Sequence, residues 1–181
     1  MKITIIGPRN SGKTLLSKHL SEHYGLEYFE ADFLLDKTLH DYEHHQKEEK
    51  IKEAYQTATQ IIEDVLKTNE LVFDVGGGVL THDFISKNKD HIDKIKKHSF
   101  LIGILPHEDR EESLKIISQR ELESERPCGT NLDEIMDIYD VKYAELRPKL
   151  NKHCDLVVYV NDKSIDDIAK DIIKFIYENQ K

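Results

Sequence analysis

The sequence lacks three features that would place it among secreted, membrane-spanning or nucleic-acid-binding proteins. It has only two cysteines, Cys128 and Cys154, whose wide separation gives no metal motif and suits a reducing compartment. No apolar run approaches the ~18 residues that a membrane span needs, and the apolar start of the chain is too short for a signal peptide. The net charge is −9 without a basic patch, which argues against binding along a nucleic-acid backbone. We therefore expect a cytoplasmic protein without nucleic-acid or membrane partners.

Short apolar runs alternate with longer amphipathic segments along all 181 residues. The runs LVFDV, FLIGIL and DLVVYV are almost continuously apolar, as in strands of a sheet that is covered on both faces. Strands are predicted at 2–6, 27–29, 71–74, 99–105 and 156–160. Apolar residues recur with helical spacing over 51–66 and 165–176, and Ser164 is a suitable N-cap for the second of these helices. The alternation predicts an α/β fold with a parallel sheet, and we expect a single domain spanning residues 1–181.

A phosphate-binding motif lies near the start of the chain. Residues 7–14, GPRNSGKT, match G-x-x-x-x-G-K-[ST] between a predicted strand and a predicted helix. The glycines let the backbone fold around a phosphate with its N–H groups pointing inward, and the helix dipole adds to the attraction. Lys13 is expected to reach the β- and γ-phosphates, and the Thr14 hydroxyl to ligate Mg²⁺. The residues predicted to bind the nucleotide here are Gly7, Asn10, Ser11, Gly12, Lys13, Thr14 and Leu15.

Three consecutive glycines follow a buried strand in LVFDVGGGVL. Gly76, Gly77 and Gly78 would expose main chain at the carboxyl edge of the sheet, where α/β proteins bind ligands. Asp74 ends the same strand and is either a ligand of a Mg²⁺-bound water or an ordinary strand-end aspartate.

A pair of acids follows the second predicted strand, in FEADF. In an extended segment Glu30 and Asp32 would face the same side, toward the edge of the site. One carboxylate would then hold a metal-bound water. The other would accept the proton of a substrate hydroxyl, as phosphoryl transfer to an alcohol requires.

Taken in order, these motifs resemble the shikimate kinase family. The resemblance rests on GPRNSGKT, FEADF, the GGG after a central strand, the RP of ESERPCGT, and the final DLVVYVNDKSIDDIAKDII. It implies a three-layer α/β/α fold with a five-stranded parallel sheet, in which a mobile lid at about 119–133 closes over the site. It also implies ATP and Mg²⁺ as ligands and a small hydroxylated acceptor. We expect the chain to be a monomer or a weak dimer.

The resemblance also implies roles for individual residues. Asp32 would bind and deprotonate the acceptor hydroxyl, Glu30 would lie near the metal-bound water, and Arg126 would be a lid arginine that closes on the phosphates. Arg120 and Asn161 would lie beside the adenine. The acceptor would be bound by Asp32, the three glycines and Arg147.

This chain departs from the family where the acceptor's carboxylate would be clamped by arginines. There is no arginine between Arg9 and Arg110, and ungapped counting places Ala54 and Tyr55 where one is expected. Lys50 and Lys52 lie nearby in sequence, and a lysine could supply the charge but not the bidentate geometry of an arginine. Arg147, in LRPKLNK, lies one position later than the second. A different hydroxylated acceptor is therefore an open alternative. So is a regulatory module that binds nucleotide without phosphorylating an acceptor. A nucleoside or nucleotide kinase on the same fold is the third alternative, and aromatic residues in the acceptor pocket would indicate it.

Overall fold

A computed structural model describes residues 1–38, 47–81, 89–125 and 127–179. Five parallel strands form one sheet in the order β2-β3-β1-β4-β5. The strands are β1 (Lys2–Gly7), β2 (Glu27–Glu30), β3 (Leu71–Gly76), β4 (Phe100–Leu105) and β5 (Leu156–Tyr159). The predicted strands are thereby confirmed, with ends that differ by at most two residues.

Helices cover both faces of the sheet, which confirms the predicted three-layer α/β/α architecture. They are α1 (Lys13–Tyr24), α2 (Ala31–Thr38), α3 (Lys47–Val65), α4 (Gly78–Thr81), α5 (Lys89–His98), α6 (Arg110–Leu122), α7 (Leu132–His153) and α8 (Ile165–Glu178). Apolar residues of α1 and α8 form one core with the sheet, and those of α3 to α7 form the other.

Side-chain alternation along the strands divides the core between these two layers. In β3, Leu71, Phe73 and Val75 pack toward α3 to α7, whereas Val72 packs toward α1 and α8. Successive strand residues point to opposite faces, so a strand buried on both sides must be apolar at nearly every position. Asp74 is the polar exception in β3 and is only 4% exposed.

The helix at the end of the chain begins as predicted. The Ser164 hydroxyl accepts a hydrogen bond from the backbone N–H of Asp167 at 3.1 Å, which caps the first turn of α8. The apolar stripe of α8 is buried against the sheet, and its members are Ile168, Ala169, Ile172, Ile173 and Ile176.

The segment predicted as a loop at 119–133 is shorter than expected. Residues 119–122 form the last turn of α6, and α7 already begins at Leu132. Two contacts explain the difference. The side chain of Asn131 accepts from the backbone N–H of Glu134 at 3.0 Å, while the Glu134 carboxylate accepts from the backbone N–H of Thr130 at 2.8 Å. The irregular part that the structure describes therefore comprises 123–125 and 127–131, called segment 123–131 below, and its closure over the site stays a prediction.

No helix in the described ranges is long and apolar enough to cross a membrane.

Candidate functional site

The phosphate loop connects the end of β1 to the start of α1. Asn10 and Gly12 have left-handed backbones, with φ of 62° and 94°, a conformation that asparagine and glycine adopt most readily. Gly7 must lack a side chain, because a Cβ there would lie 2.4 Å from the carbonyl oxygen of Ile104. The Ser11 hydroxyl is buried and has no hydrogen-bond partner among the described residues. An unpaired donor beside a helix N-terminus fits an oxyanion such as a phosphate.

A cavity of about 880 Å³ adjoins this loop and brings several of the sequence-predicted residues together. Its lining includes the loop residues Pro8, Arg9, Asn10, Lys13 and Thr14, then Asp32 and Gly76, Gly77 and Gly78. The rest comes mainly from α3, α5 and α7 and includes Tyr55, Ala58, His91, Tyr139, Tyr143 and Leu146. The phosphate loop and the triple glycine thus face the same space.

Thr14 in the first turn of α1 and Asp74 in β3, both predicted to lie at the metal site, are in contact. The Thr14 hydroxyl donates to Asp74 Oδ2 at 2.7 Å. β1 and β3 are neighbours in the sheet, and Gly7 pairs with Gly76, so the loop after β1 and the end of β3 are held side by side. A hydroxyl and a carboxylate are hard oxygen ligands of the kind that Mg²⁺ prefers, so this pair fits the predicted ion.

Lys13 is surrounded by carboxylates. Its ammonium donates to the Pro8 carbonyl at 3.1 Å. Burial lowers the pKa of Lys13, and the charges of Asp74, Asp32 and Glu30 oppose this shift. Burial also raises the pKa of the Asp74 carboxyl, against the hydrogen bond from Thr14 and the charge of Lys13. One cation and three acids therefore form a single electrostatic cluster at the carboxyl edge of the sheet.

The local geometry of the acid pair differs from the extended segment that the sequence suggested. Glu30 ends β2 and lies level with Asp74 of β3, whereas Asp32 lies in the first turn of α2. The helix begins directly after the strand, so strict alternation does not apply. Glu30 accepts a hydrogen bond from the Tyr28 hydroxyl at 2.9 Å. Asp32 is exposed in the cavity and is the carboxylate nearest to Gly76.

The three glycines have different roles. A Cβ on Gly76 would lie 3.6 Å from Asp32 Oδ1, so this glycine faces the predicted acceptor site. A Cβ on Gly77 would lie 2.8 Å from Leu146 Cδ2 and 3.1 Å from the Gly7 carbonyl oxygen. The absence of a side chain at Gly77 therefore allows the close approach of β3, α7 and the phosphate loop. Gly78 begins the short helix α4 and lines the cavity.

Glu121 is a site residue that the sequence analysis did not identify. Its side chain is fully buried, and its carboxylate accepts hydrogen bonds from the Asn10 amide at 2.6 Å and the Tyr139 hydroxyl at 2.7 Å. It also accepts from the backbone N–H of Cys128 at 3.1 Å and pairs with Arg9 at 3.2 Å. Glu121 therefore joins the phosphate loop, the segment 123–131 and α7. Nothing in the local sequence marks it, because Arg9, Asn10 and Tyr139 are distant along the chain.

A family model described as shikimate kinase matches residues 9–177, nearly the whole chain. The chain belongs to the shikimate kinase family. It is 21% identical over 178 residues to a shikimate kinase of Photobacterium profundum, covering 97% of this chain and 94% of the relative.

Solved structures of shikimate kinases share the fold. The enzyme of Acinetobacter baumannii in complex with shikimate has a TM-score of 0.71 at 19% identity, covering 99% of this chain and 94% of that one. The enzyme of Bacteroides thetaiotaomicron has a TM-score of 0.74 at 14% identity, covering 98% of each chain.

Arg120, which the family resemblance placed beside the adenine, contacts the phosphate loop. Its guanidinium donates to the Asn10 carbonyl at 3.0 Å. Asn161 follows β5, and its backbone N–H donates to the Pro106 carbonyl at 2.8 Å. Leu15 is 69% exposed on the first turn of α1. Arg126 lies outside the described residues, so its role as a lid arginine stays a prediction.

The acceptor side differs from the family expectation. Arg147, predicted to bind the acceptor, is absent from the described lining, and its guanidinium donates instead to the Glu108 carbonyl. Leu146, the residue before it, faces the cavity. Adjacent helix residues point about 100° apart, so Leu146 and Arg147 project in different directions. In α3, Tyr55 lines the cavity where the resemblance led us to expect an arginine.

We expect Gly77→Ala to destabilise the fold more than Gly76→Ala. The new methyl at Gly77 would overlap Leu146 and crowd the Gly7 carbonyl, so it should lower the free energy of unfolding by about 1–3 kcal/mol. The methyl at Gly76 meets only the Asp32 carboxylate, at ordinary contact distance. Urea unfolding of both variants tests this, and equal stability of the two would contradict it.

We expect Glu121→Gln to lower the free energy of unfolding by about 1–3 kcal/mol at pH 7, because an amide cannot accept from all four donors. Burial alone would raise the pKa of Glu121, but the bonds from Tyr139, Cys128 and Asn10 and the charge of Arg9 outweigh it and lower the pKa below 4.5. The carboxylate's contribution is therefore complete above pH 4.5 and is lost as the pH falls through the lowered value.

Urea unfolding between pH 7 and pH 3 measures this effect. The difference between the wild type and Glu121→Gln should shrink as the pH falls. The control is Glu125→Gln, which removes the same charge from an exposed side chain in the adjoining segment. A deficit of Glu121→Gln that is constant with pH, or that Glu125→Gln matches, would show that the carboxylate network is not its cause.

Proposed function

We propose that this protein transfers the γ-phosphoryl group of ATP to a hydroxyl group of a small molecule. The observation that carries the proposal is that Lys13, Thr14, Asp32 and the triple glycine line one continuous cavity. A phosphate-binding loop and a carboxylate in the same cavity are the two parts that phosphoryl transfer to an alcohol requires. Membership of the shikimate kinase family supports the same reaction class.

In the proposed reaction, the phosphate loop and the first turn of α1 hold the ATP phosphates, and Lys13 places its positive charge against the transferring group. Asp32 orients the acceptor hydroxyl and takes its proton. The acceptor oxygen forms a bond to the γ-phosphorus as the bond to the β,γ-bridging oxygen breaks, and ADP leaves with that oxygen. The protein's contribution is positioning and charge stabilisation.

Thr14 and Asp74 are the residues that would hold Mg²⁺, with Glu30 beside them on the next strand. When bound, the ion would neutralise charge on the phosphates. The segment 123–131, with Arg126, would close over the site. Such closure excludes water, which would otherwise compete with the acceptor for the phosphoryl group.

We expect Lys13→Ala to abolish turnover, with a loss of at least about 10²–10³-fold, because it removes the charge aimed at the transferring phosphoryl group. The fold should change little, since burial already disfavours this charge. The assay is acceptor-stimulated ADP release over a panel of hydroxy acids, polyols and nucleosides, with thermal unfolding measured in parallel. Lys18→Ala, an exposed lysine on the same helix, is the control. Turnover like that of the wild type in Lys13→Ala would contradict the assigned role.

We expect Asp32→Asn to lower kcat by about 10²–10⁴-fold, because the amide cannot accept the proton of the acceptor. ATP binding should be retained, since Asp32 lies on the acceptor side of the cavity. Calorimetry with Mg²⁺ and ATP measures binding, and the ADP-release assay measures turnover. Loss of ATP affinity together with kcat would place Asp32 in the nucleotide site. Tight ATP binding by the wild type without ADP release for any acceptor would favour a nucleotide-binding regulatory module.

A further inference from the structure

The part of the cavity wall that α3 and α5 contribute is apolar and aromatic. Its described members are Ala54, Tyr55, Ala58, Ile61, Ile62 and His91. The rings of Tyr55 and His91 are stacked, with centroids 5.0 Å apart and planes inclined by 16°. Thr59 Oγ1 lies 2.6 Å from His91 Nε2, and His91 is 2% exposed, so this ring is held in place. The wall therefore presents an ordered aromatic surface.

Positive charge is scarce in the described lining. Its cations are Arg9, Lys13 and Lys142. Arg9 is paired with Glu121, and Lys13 belongs to the phosphate loop. Lys142 is exposed on α7, 5.9 Å above the Tyr139 ring. The described α3 and α5 lining thus contains no lysine or arginine that could pair with an acidic acceptor.

Acidic groups also line the cavity, and they favour ligands that donate hydrogen bonds. Asp32 and Glu145 are both exposed in the lining. A carboxylate accepts hydrogen bonds from hydroxyl and amino groups and repels another carboxylate. An acceptor with an acid group would leave that charge desolvated against alanine, isoleucine and tyrosine side chains, without a described partner in this wall.

We infer that the acceptor is a neutral alcohol that carries a planar ring, of the nucleoside type, and is not a hydroxy acid. The sugar hydroxyl would lie at Asp32 beside Gly76. The ring would pack on the wall formed by Tyr55 and Ala58, since flat π-systems pack well on aromatic faces. This inference rests on the proposed function, because it assigns the acceptor of the same reaction.

Binding tests the acceptor class separately from catalysis. Calorimetry on the full chain carrying Lys13→Ala, with adenosine, guanosine, cytidine and uridine as probes, is compared with shikimate and with myo-inositol. We expect at least one nucleoside to bind about tenfold or more tightly than either comparison compound, because only the nucleoside has both the hydroxyl and the ring. Tighter binding of shikimate, or equal binding of myo-inositol, would overturn the inference.

Variants at Tyr55 identify the contact. In the Lys13→Ala chain, Tyr55→Ala should weaken nucleoside binding by about tenfold, whereas Tyr55→Phe, which keeps the ring, should bind like its parent. Tyr55→Arg should shift the preference toward shikimate by supplying the missing cation. Tyr177→Ala, which removes an exposed tyrosine of α8, is the matched control. Nucleoside binding that Tyr55→Ala leaves unchanged would overturn the inference.

Turnover by the wild-type chain then separates the two proposals. A nucleoside that binds and stimulates ADP release supports both. A nucleoside that binds in a Tyr55-dependent way without ADP release defeats the kinase proposal but not the assignment of the ring-binding wall. Shikimate that stimulates ADP release when nucleosides do not defeats the acceptor assignment and leaves the kinase standing.

Discussion

The hydrogen bond between Thr14 and Asp74 joins the two halves of the site. Thr14 belongs to the helix that follows β1, and Asp74 to the adjacent strand β3, so the 2.7 Å contact fixes the phosphate loop against the strand that leads to the triple glycine. Gly77 tightens the same junction, because its missing side chain lets β3 approach the Gly7 carbonyl and Leu146. Donor and acceptor groups can share one cavity only if this junction holds. The electrostatic cluster around Lys13 depends on it as well.

The sequence predicted the features that local pattern determines. Near-continuous apolar runs predicted three of the five strands, and the glycine spacing of residues 7–14 predicted the phosphate loop, because both depend on neighbours in the chain. The sequence analysis assigned residues 119–122 to the loop, because all of them except Leu122 are charged or polar. In the structure they form the last turn of α6. The burial of Glu121 and the Asn131 cap that begins α7 are what limit the loop. The prediction that Glu30 and Asp32 lie in one extended segment was wrong, because α2 begins directly after β2.

The acceptor side could not have been predicted to the same depth. Counting residues placed Tyr55 where the family resemblance led us to expect an arginine. Its stacking on His91, 36 residues away, joins α3 to α5 and could not be predicted from the sequence of either segment alone. Whether Leu146 or Arg147 faces the cavity depends on how α7 is rotated about its axis. That rotation is visible only in the packing of Leu146 against Gly77. A family match therefore defines the phosphate half of this protein more closely than the half that selects the acceptor.

The shared carboxylate of Glu121 has a thermodynamic consequence. It holds the Asn10 amide of the phosphate loop and the Cys128 amide of the segment 123–131 at the same time. A nucleotide that draws Asn10 away from Glu121 changes the free energy with which the carboxylate retains Cys128 and Tyr139. Nucleotide binding would then change the equilibrium for release of segment 123–131 from Glu121 by some factor. Thermodynamic linkage requires that release of the segment change nucleotide affinity by the same factor, whichever event comes first.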